Sequence, residues 1–159
     1  MLNNNVTEKK TKDNIVELHI KDPGFSVTEA FNTLRTNIMF SGENIKTVMV
    51  TSTNPAEGKS FVAMQLAKSF ADINKKVVYI DCDLRKSVTL SRYKIRGKRV
   101  GLTEYITGQK SQLIYETNIP NLAVILSGHV VPNPIELMES KKFDDLLSVL
   151  RERFDYVII

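Results

Sequence analysis

VMVTSTNPAEGKSFVAMQLAKSF, residues 48–70, runs from an apolar stretch through Gly58, Lys59 and Ser60 into a pattern with helical spacing. A glycine-lysine-serine triplet at the joint between a strand and a helix marks a phosphate-binding loop. The pattern G-x-x-x-x-G-K-[ST] works because the loop wraps a phosphate and directs backbone N–H groups at it. The helix behind it adds the partial positive charge of its N-terminus. Here Thr53 stands where the first glycine belongs. That position only begins the turn, and a threonine serves there if its backbone angles are ordinary. Ala56 restricts the loop to conformations without positive φ at that residue. The ligand-binding segment is then Thr53, Asn54, Pro55, Ala56, Glu57, Gly58, Lys59, Ser60 and Phe61. Gly58 matches the point of close backbone approach, Lys59 reaches the β- and γ-phosphates, and the Ser60 hydroxyl ligates Mg²⁺.

Downstream, VVYIDCDLRK places Asp81 and Asp83 just past four apolar residues. Ligands of open α/β sheets sit at the carboxyl ends of strands, so these acids face the loop across a crevice. Mg²⁺ takes carboxylates, directly or through water, beside phosphate oxygens. Two acids one residue apart point to the same side of an extended chain, so one can contact metal or activate a hydroxyl while the other supports it. Cys82 between them reads as a small packed residue rather than a nucleophile. His19 and His129 have no partner pattern and read as structural.

The surrounding pattern sets the fold class. KTVMVTS, KKVVYIDCD, NLAVILSG and YVII read as buried strands. Residues 59 to about 73, LTEYIT, and the stretch after Pro132 and Pro134 to about Phe154 read as helices, the last burying Phe143, Leu146, Leu147 and Leu150. Apolar strands alternating with amphipathic helices predict an α/β protein of the P-loop NTPase class, a parallel sheet with helices on both faces. Near the N-terminus, Ser26 and Glu29 have capping-box spacing before a helix carrying Val27, Ala30, Phe31, Leu34 and Ile38. Residues 1–20 are expected to form a flexible segment, with VELHI as a short extended arm, and 21–159 the domain. YVII begins a strand that has no closing helix before Ile159, so the sheet is expected to be incomplete at its C-terminal side.

Composition limits the function. The 159 residues, 42% hydrophobic and 25% charged, suit one globular domain. No apolar run approaches the ~18 residues of a membrane span, and no signal peptide is visible. Cys82 alone excludes an internal disulfide or a cysteine-based metal site. These features point to the cytoplasm. Of the net charge of +4, much lies in Arg85, Lys86, Arg92, Lys94, Arg96, Lys98 and Arg99. That cluster reads as a solvated loop, or as a face for an acidic protein or an anionic membrane surface. Nucleic acid is not expected, since only Tyr93 offers a stacking surface there.

VMVTSTNPAEGKS, VVYIDCDLRKS, GLTEYITG, NLAVILSGHVVPNPIELMES and FDYVII occur in the order found in bacterial tyrosine kinases of capsular and exopolysaccharide synthesis. The chain resembles that family from about Val27 to Ile159. The resemblance implies an ATP- and Mg²⁺-dependent tyrosine autokinase in which Lys59, Asp81 and Asp83 are catalytic and Ser60, Asp81 and Asp83 hold the metal. It implies a role in capsular and exopolysaccharide synthesis and chain length. It implies a membrane-embedded activator that engages the kinase through its cytoplasmic tail at the inner face of the membrane. Glu29 and Arg35 match two positions of a glutamate-x-x-arginine-x-x-arginine motif that assembles subunits into a ring, with Asn32 at the middle position. Ser87 stands where a proline is usual and is expected to matter little. By the same resemblance the Walker B aspartate and the tyrosine-rich tail lie beyond Ile159. Two other readings of the loop are a partitioning-type ATPase switch and a non-catalytic nucleotide-binding scaffold. The switch would carry an extra lysine early in the loop, and TSTNPAE has none.

Overall fold

A computed structural model describes residues 14–97, 99–110 and 112–159. Among these, six strands form one sheet: β1 (Ile15–Val16), β2 (Thr47–Val48), β3 (Val77–Ile80), β4 (Tyr115–Thr117), β5 (Leu122–Ile125) and β6 (Tyr156–Ile158). The strand order is β1-β4-β5-β3-β6-β2. Strand β3 lies between β5 and β6 and pairs parallel with both, and β6 pairs parallel with β2. The sheet is therefore parallel in its main part. Two strands depart from that expectation: β4 runs antiparallel to β5, to which the short turn at 118–121 joins it, and β1, parallel to β4, shares its direction. A connection that short cannot carry a parallel crossover, which needs a dozen or more residues.

The pleat divides the core into two halves. Val77, Tyr79, Leu122, Val124 and Ile158 face one layer, with Met64, Leu66, Ala67 and Phe70 of α2 (Lys59–Ala71). Val78, Ile80, Ala123, Ile125 and Val157 face the other, with Leu102 and Ile106 of the short helix Leu102–Ile106 and Phe143, Leu146 and Leu150 of the helix Lys141–Arg153. Helices thus cover both faces. Because β3 is buried on each side, VVYI reads as a continuous apolar run rather than an alternating one.

Three local expectations change. The N-terminal helix, α1 (Phe25–Phe40), starts one residue before Ser26, after Gly24 at φ 86°. Ser26 is therefore inside the first turn and no capping box forms. Asp22 accepts the Gly24 N–H instead, and the Glu29 carboxylate accepts from the Asn32 amide at 3.0 Å. Of the apolar stripe on α1, Phe31 and Ile38 reach the core, whereas Val27 and Leu34 are exposed. The stretch after Pro134 is two helices, Pro134–Met138 and Lys141–Arg153, because Ser140 accepts the Phe143 N–H and starts a new helix.

The first 13 residues of the expected N-terminal segment lie outside the described residues. Residues 15–18 run along the sheet edge. Val16 and Leu18 are buried, and the Asn118 side chain accepts the Leu18 N–H at 2.7 Å.

Candidate functional site

Strand β2 delivers the chain to the loop at 51–58, and helix α2 leaves it at Lys59. Thr53 has ordinary backbone angles, as threonine requires, but Ala56 does not: its φ is +63°. This corrects the expectation at Ala56. The reason lies in Glu57, whose carboxylate accepts the Asn54 backbone N–H at 3.1 Å and its side-chain amide at 3.0 Å. Those two bonds close the loop on itself and hold Ala56 in the left-handed region, a conformation costing about 1 kcal/mol for a residue with a Cβ. The same bonds keep the Glu57 carboxyl below its ordinary range. Gly58, at φ 93°, also takes a conformation suited to glycine.

Lys59 folds back over this loop. Its ammonium donates to Ser52 Oγ at 2.9 Å and to the Asn54 carbonyl at 3.3 Å. The cation is thus held at the loop mouth beside the N-terminus of α2, where an anion gains from both. The turn behind Lys59 is fixed from outside, since the buried Tyr93 hydroxyl donates to the Ser60 carbonyl at 3.0 Å.

Across the crevice, Asp81 and Asp83 differ sharply. Asp81 is only 4% exposed and accepts the Asp83 N–H and the Ser87 hydroxyl. Burial pushes its carboxyl above the ordinary carboxylate value, and the bond from Ser87 opposes that shift. Asp83 is exposed, and its Oδ1 accepts the N–H groups of Arg85 and Lys86 at 3.3 and 2.9 Å. Ser87, expected to matter little, thus supplies a side-chain hydrogen bond to the buried acid. The turn that Asp83 caps carries the chain round so that Ser87 meets Asp81.

One cavity of about 380 Å³ unites these parts. Thr53, Asn54, Pro55, Lys59, Ser60, Asp81 and Asp83 line it, with Ser52 beside them. Four residues of the expected binding segment do not: Ala56, Glu57, Gly58 and Phe61. Phe61 points away and meets Phe31 of α1 edge-on at 6.1 Å. A hydroxyl and two carboxylates are hard oxygen donors of the kind Mg²⁺ takes, and Lys59 supplies the charge for phosphate, so the residues fit a magnesium–nucleoside triphosphate. Ser52, Ser87 and Tyr93 were not legible as site residues. Each acts through a fold-dependent contact, and none belongs to a spaced pattern.

A family profile described as an AAA domain matches residues 45–159. Tyrosine-protein kinase CpsD of Streptococcus pneumoniae serotype 4 is 47% identical over 133 residues, 82% of this chain and 59% of that protein. The putative tyrosine-protein kinase CapB of Staphylococcus aureus is 35% identical over 155 residues, 94% of this chain and 68% of that protein. The chain belongs to the bacterial tyrosine-protein kinase family. Among solved structures, the kinase domain of the Escherichia coli tyrosine kinase ETK matches with a TM-score of 0.79 at 32% identity. That match covers 86% of this chain and 55% of the ETK chain. The chain spans under three fifths of CpsD, 59% of its length.

Other features of this tyrosine-kinase-family chain sit apart from the cavity. On α1, Asn32 Oδ1 accepts from Arg35, and the same guanidinium nitrogen donates to the Ser69 carbonyl of α2 at 2.7 Å. Glu29, Asn32 and Arg35 thus form one ladder that ties α1 to α2. Burial raises the Cys82 thiol to about 12, which disfavours the thiolate. His129 is bonded through its ring to the buried Glu104. No helix among the described residues is long and apolar enough to cross a membrane.

The raised Asp81 carboxyl has a consequence for stability. Below the ordinary value of 3.8 both folded and unfolded chains carry the proton, and burial of the group costs little. As pH rises, the unfolded chain loses its proton first, so the folded state is progressively penalised. Asp81→Asn keeps an oxygen for Ser87 and removes the charge. The variant is expected to melt higher than the wild type at pH 7 without nucleotide. The gain should shrink towards zero below pH 4, and a thermal melt at the two pH values checks it.

Proposed function

We propose that this chain is the nucleotide-binding part of a protein-tyrosine autokinase acting in capsular or exopolysaccharide synthesis and in control of chain length. The observation that carries the reading is the joining of Lys59, Ser60, Asp81 and Asp83 in one cavity. It is supported by relatives whose names are tyrosine-protein kinases. Residues 21–159 would be the N-terminal part of the kinase domain. Ser60, Asp81 and Asp83 would hold the metal, and Lys59 with the N–H groups of the 53–61 loop would hold ATP. When bound, Mg²⁺ neutralises charge on the phosphate oxygens.

The chain's own work is positioning and electrostatic stabilisation. Lys59 leaves Ser52 and Asn54 for the phosphates. Asp83, exposed at the cavity wall, takes the proton of the acceptor hydroxyl. Asp81, fixed by Ser87, sets the floor of the metal site. A membrane-embedded activator would engage the protein through its cytoplasmic tail at the inner face of the membrane. Copies would associate, in a ring if the Glu29, Asn32 and Arg35 ladder is the contact.

The test is phosphoamino-acid analysis of the full-length protein, incubated with its activator's cytoplasmic segment, Mg²⁺ and γ-labelled ATP. Phosphotyrosine is expected. Release of phosphate without phosphotyrosine would favour an ATPase switch instead.

A further inference from the structure

Beyond Ser87 the chain folds into a short knob, residues 88–96, built around the one-turn helix Thr89–Arg92. Its inner side is anchored. Thr89, Tyr93 and Ile95 are buried, the Tyr79 hydroxyl meets Thr89 Oγ1 at 3.3 Å, and the Tyr93 hydroxyl donates to the Ser60 carbonyl. The Tyr93 carbonyl accepts the His19 N–H at 3.1 Å. The outer side carries Val88, Leu90, Ser91, Arg92, Lys94 and Arg96, all exposed. Among the described residues, Arg92, Lys94 and Arg96 make no ion pair and no side-chain hydrogen bond. No acid occurs between Asp83 and Glu104, and Glu17 on the neighbouring arm faces the His19 ring at 3.8 Å instead. Nucleotide binding gives this outer row no role.

We propose that the outer row is a docking surface for a bilayer of anionic phospholipid. Unpaired cations gain from the negative potential of such a surface. Their methylene stems lie along apolar material while the charged heads stay among the headgroups. Val88 and Leu90, 38% and 41% exposed, sit between the cations and can enter the headgroup boundary. An acidic protein would use the charge but has no need of those two apolar side chains. A peptide also needs a sheet edge or a groove to bind in. Residues 88–96 contain no strand. None of Val88, Leu90, Arg92, Lys94 and Arg96 lines the nucleotide cavity or the adjoining concavity of about 400 Å³. A lipid surface requires neither feature.

The row begins just past Ser87, whose hydroxyl bonds to Asp81. A bilayer seated on it therefore lies beside the carboxylate wall of the nucleotide cavity. That sets the cavity near the membrane face from which an activator's cytoplasmic tail emerges, a consequence that rests on the kinase reading. The lipid contact itself does not.

The experiment is sedimentation of the full-length protein, without its activator, with vesicles of phosphatidylcholine and phosphatidylglycerol in equal parts. Wild-type protein is expected to pellet with these vesicles and not with phosphatidylcholine alone, and less so as salt is raised. Arg92→Glu with Lys94→Glu and Arg96→Glu should lower the affinity about a hundredfold or more, each lost cation accounting for about fivefold. Arg92→Lys with Arg96→Lys keeps the charge and should stay within about twofold of the wild type. All three side chains are exposed, so the variants fold, and unchanged binding of a fluorescent ATP analogue checks that. No wild-type binding to the anionic vesicles, or equal binding by the triple glutamate variant, overturns the surface. Capture on immobilised polyglutamate without vesicle binding also overturns it, and gives the row to an acidic protein. Charge-dependent vesicle binding by a protein that labels no tyrosine upholds the surface and removes the kinase reading alone.

Discussion

Replacing Lys59 by methionine is expected to lower phosphotyrosine formation about a thousandfold while leaving the fold intact. The lysine's bonds in the free protein are one to a serine hydroxyl and one to a loop carbonyl, at 2.9 and 3.3 Å. Each contributes about 1 kcal/mol at most, and methionine fills the same partly exposed space. The melting temperature should therefore move by only a few degrees. With the triphosphate in place, the same ammonium faces charge that builds on the transferring group. Removing one well-placed donor from such a site costs about a hundredfold to a thousandfold, and a charged donor more. Nucleotide binding, which uses the charge less, should weaken by about tenfold to a hundredfold. Retained labelling in a correctly folded variant would remove Lys59 from the chemistry.

The second large effect falls at a residue that does not line the nucleotide cavity. Gly101→Ala is expected to destabilise the protein by about 3 kcal/mol or more, about 10 °C in melting temperature. Gly101 has ordinary extended angles, so conformational freedom is not the reason. Space is. An added Cβ would lie 2.2 Å from the Gly128 nitrogen, 2.5 Å from the Leu126 carbonyl oxygen and 2.6 Å from the Gly128 Cα. All three are backbone atoms that cannot swing away. The contact is tight because the Leu102 and Thr103 N–H groups bond to the Leu126 and Ser127 carbonyls at 2.7 and 3.0 Å. The buried Glu104 carboxylate adds bonds to the N–H groups of Gly101 and His129 at 2.7 and 3.1 Å. Alanine would pry this junction apart at the carboxyl end of β5. A urea melt of the variant measures the loss, and one within 0.5 kcal/mol of wild type would contradict so close an approach.

Much of this protein could be read from its sequence because the relevant signals are local. The apolar runs at 77–80 and 122–125 and the triplet at 58–60 gave strand, loop and helix in order. Asp81 and Asp83 followed from the rule that strands end at the ligand. Strand β4 was missed because its three residues, Tyr115–Thr117, are too few to show a period and it runs against its neighbour. Ala56 was misjudged because the carboxylate of the next residue, Glu57, bonds back to Asn54 and holds it, a contact no spacing pattern announces. Ser87 was undervalued because its role depends on the turn capped by Asp83, a three-dimensional fact.

The central claim is that one triphosphate and one divalent ion share the cavity between Lys59 and the two aspartates. Electron paramagnetic resonance titration of Mn²⁺ into the full-length protein tests it, using a non-hydrolysable ATP analogue. Wild-type protein should bind one Mn²⁺ tightly only when the analogue is present, and Asp81→Asn with Asp83→Asn should weaken that binding about tenfold or more. Equal Mn²⁺ affinity in the wild type and the double variant would place the metal elsewhere and contradict the site.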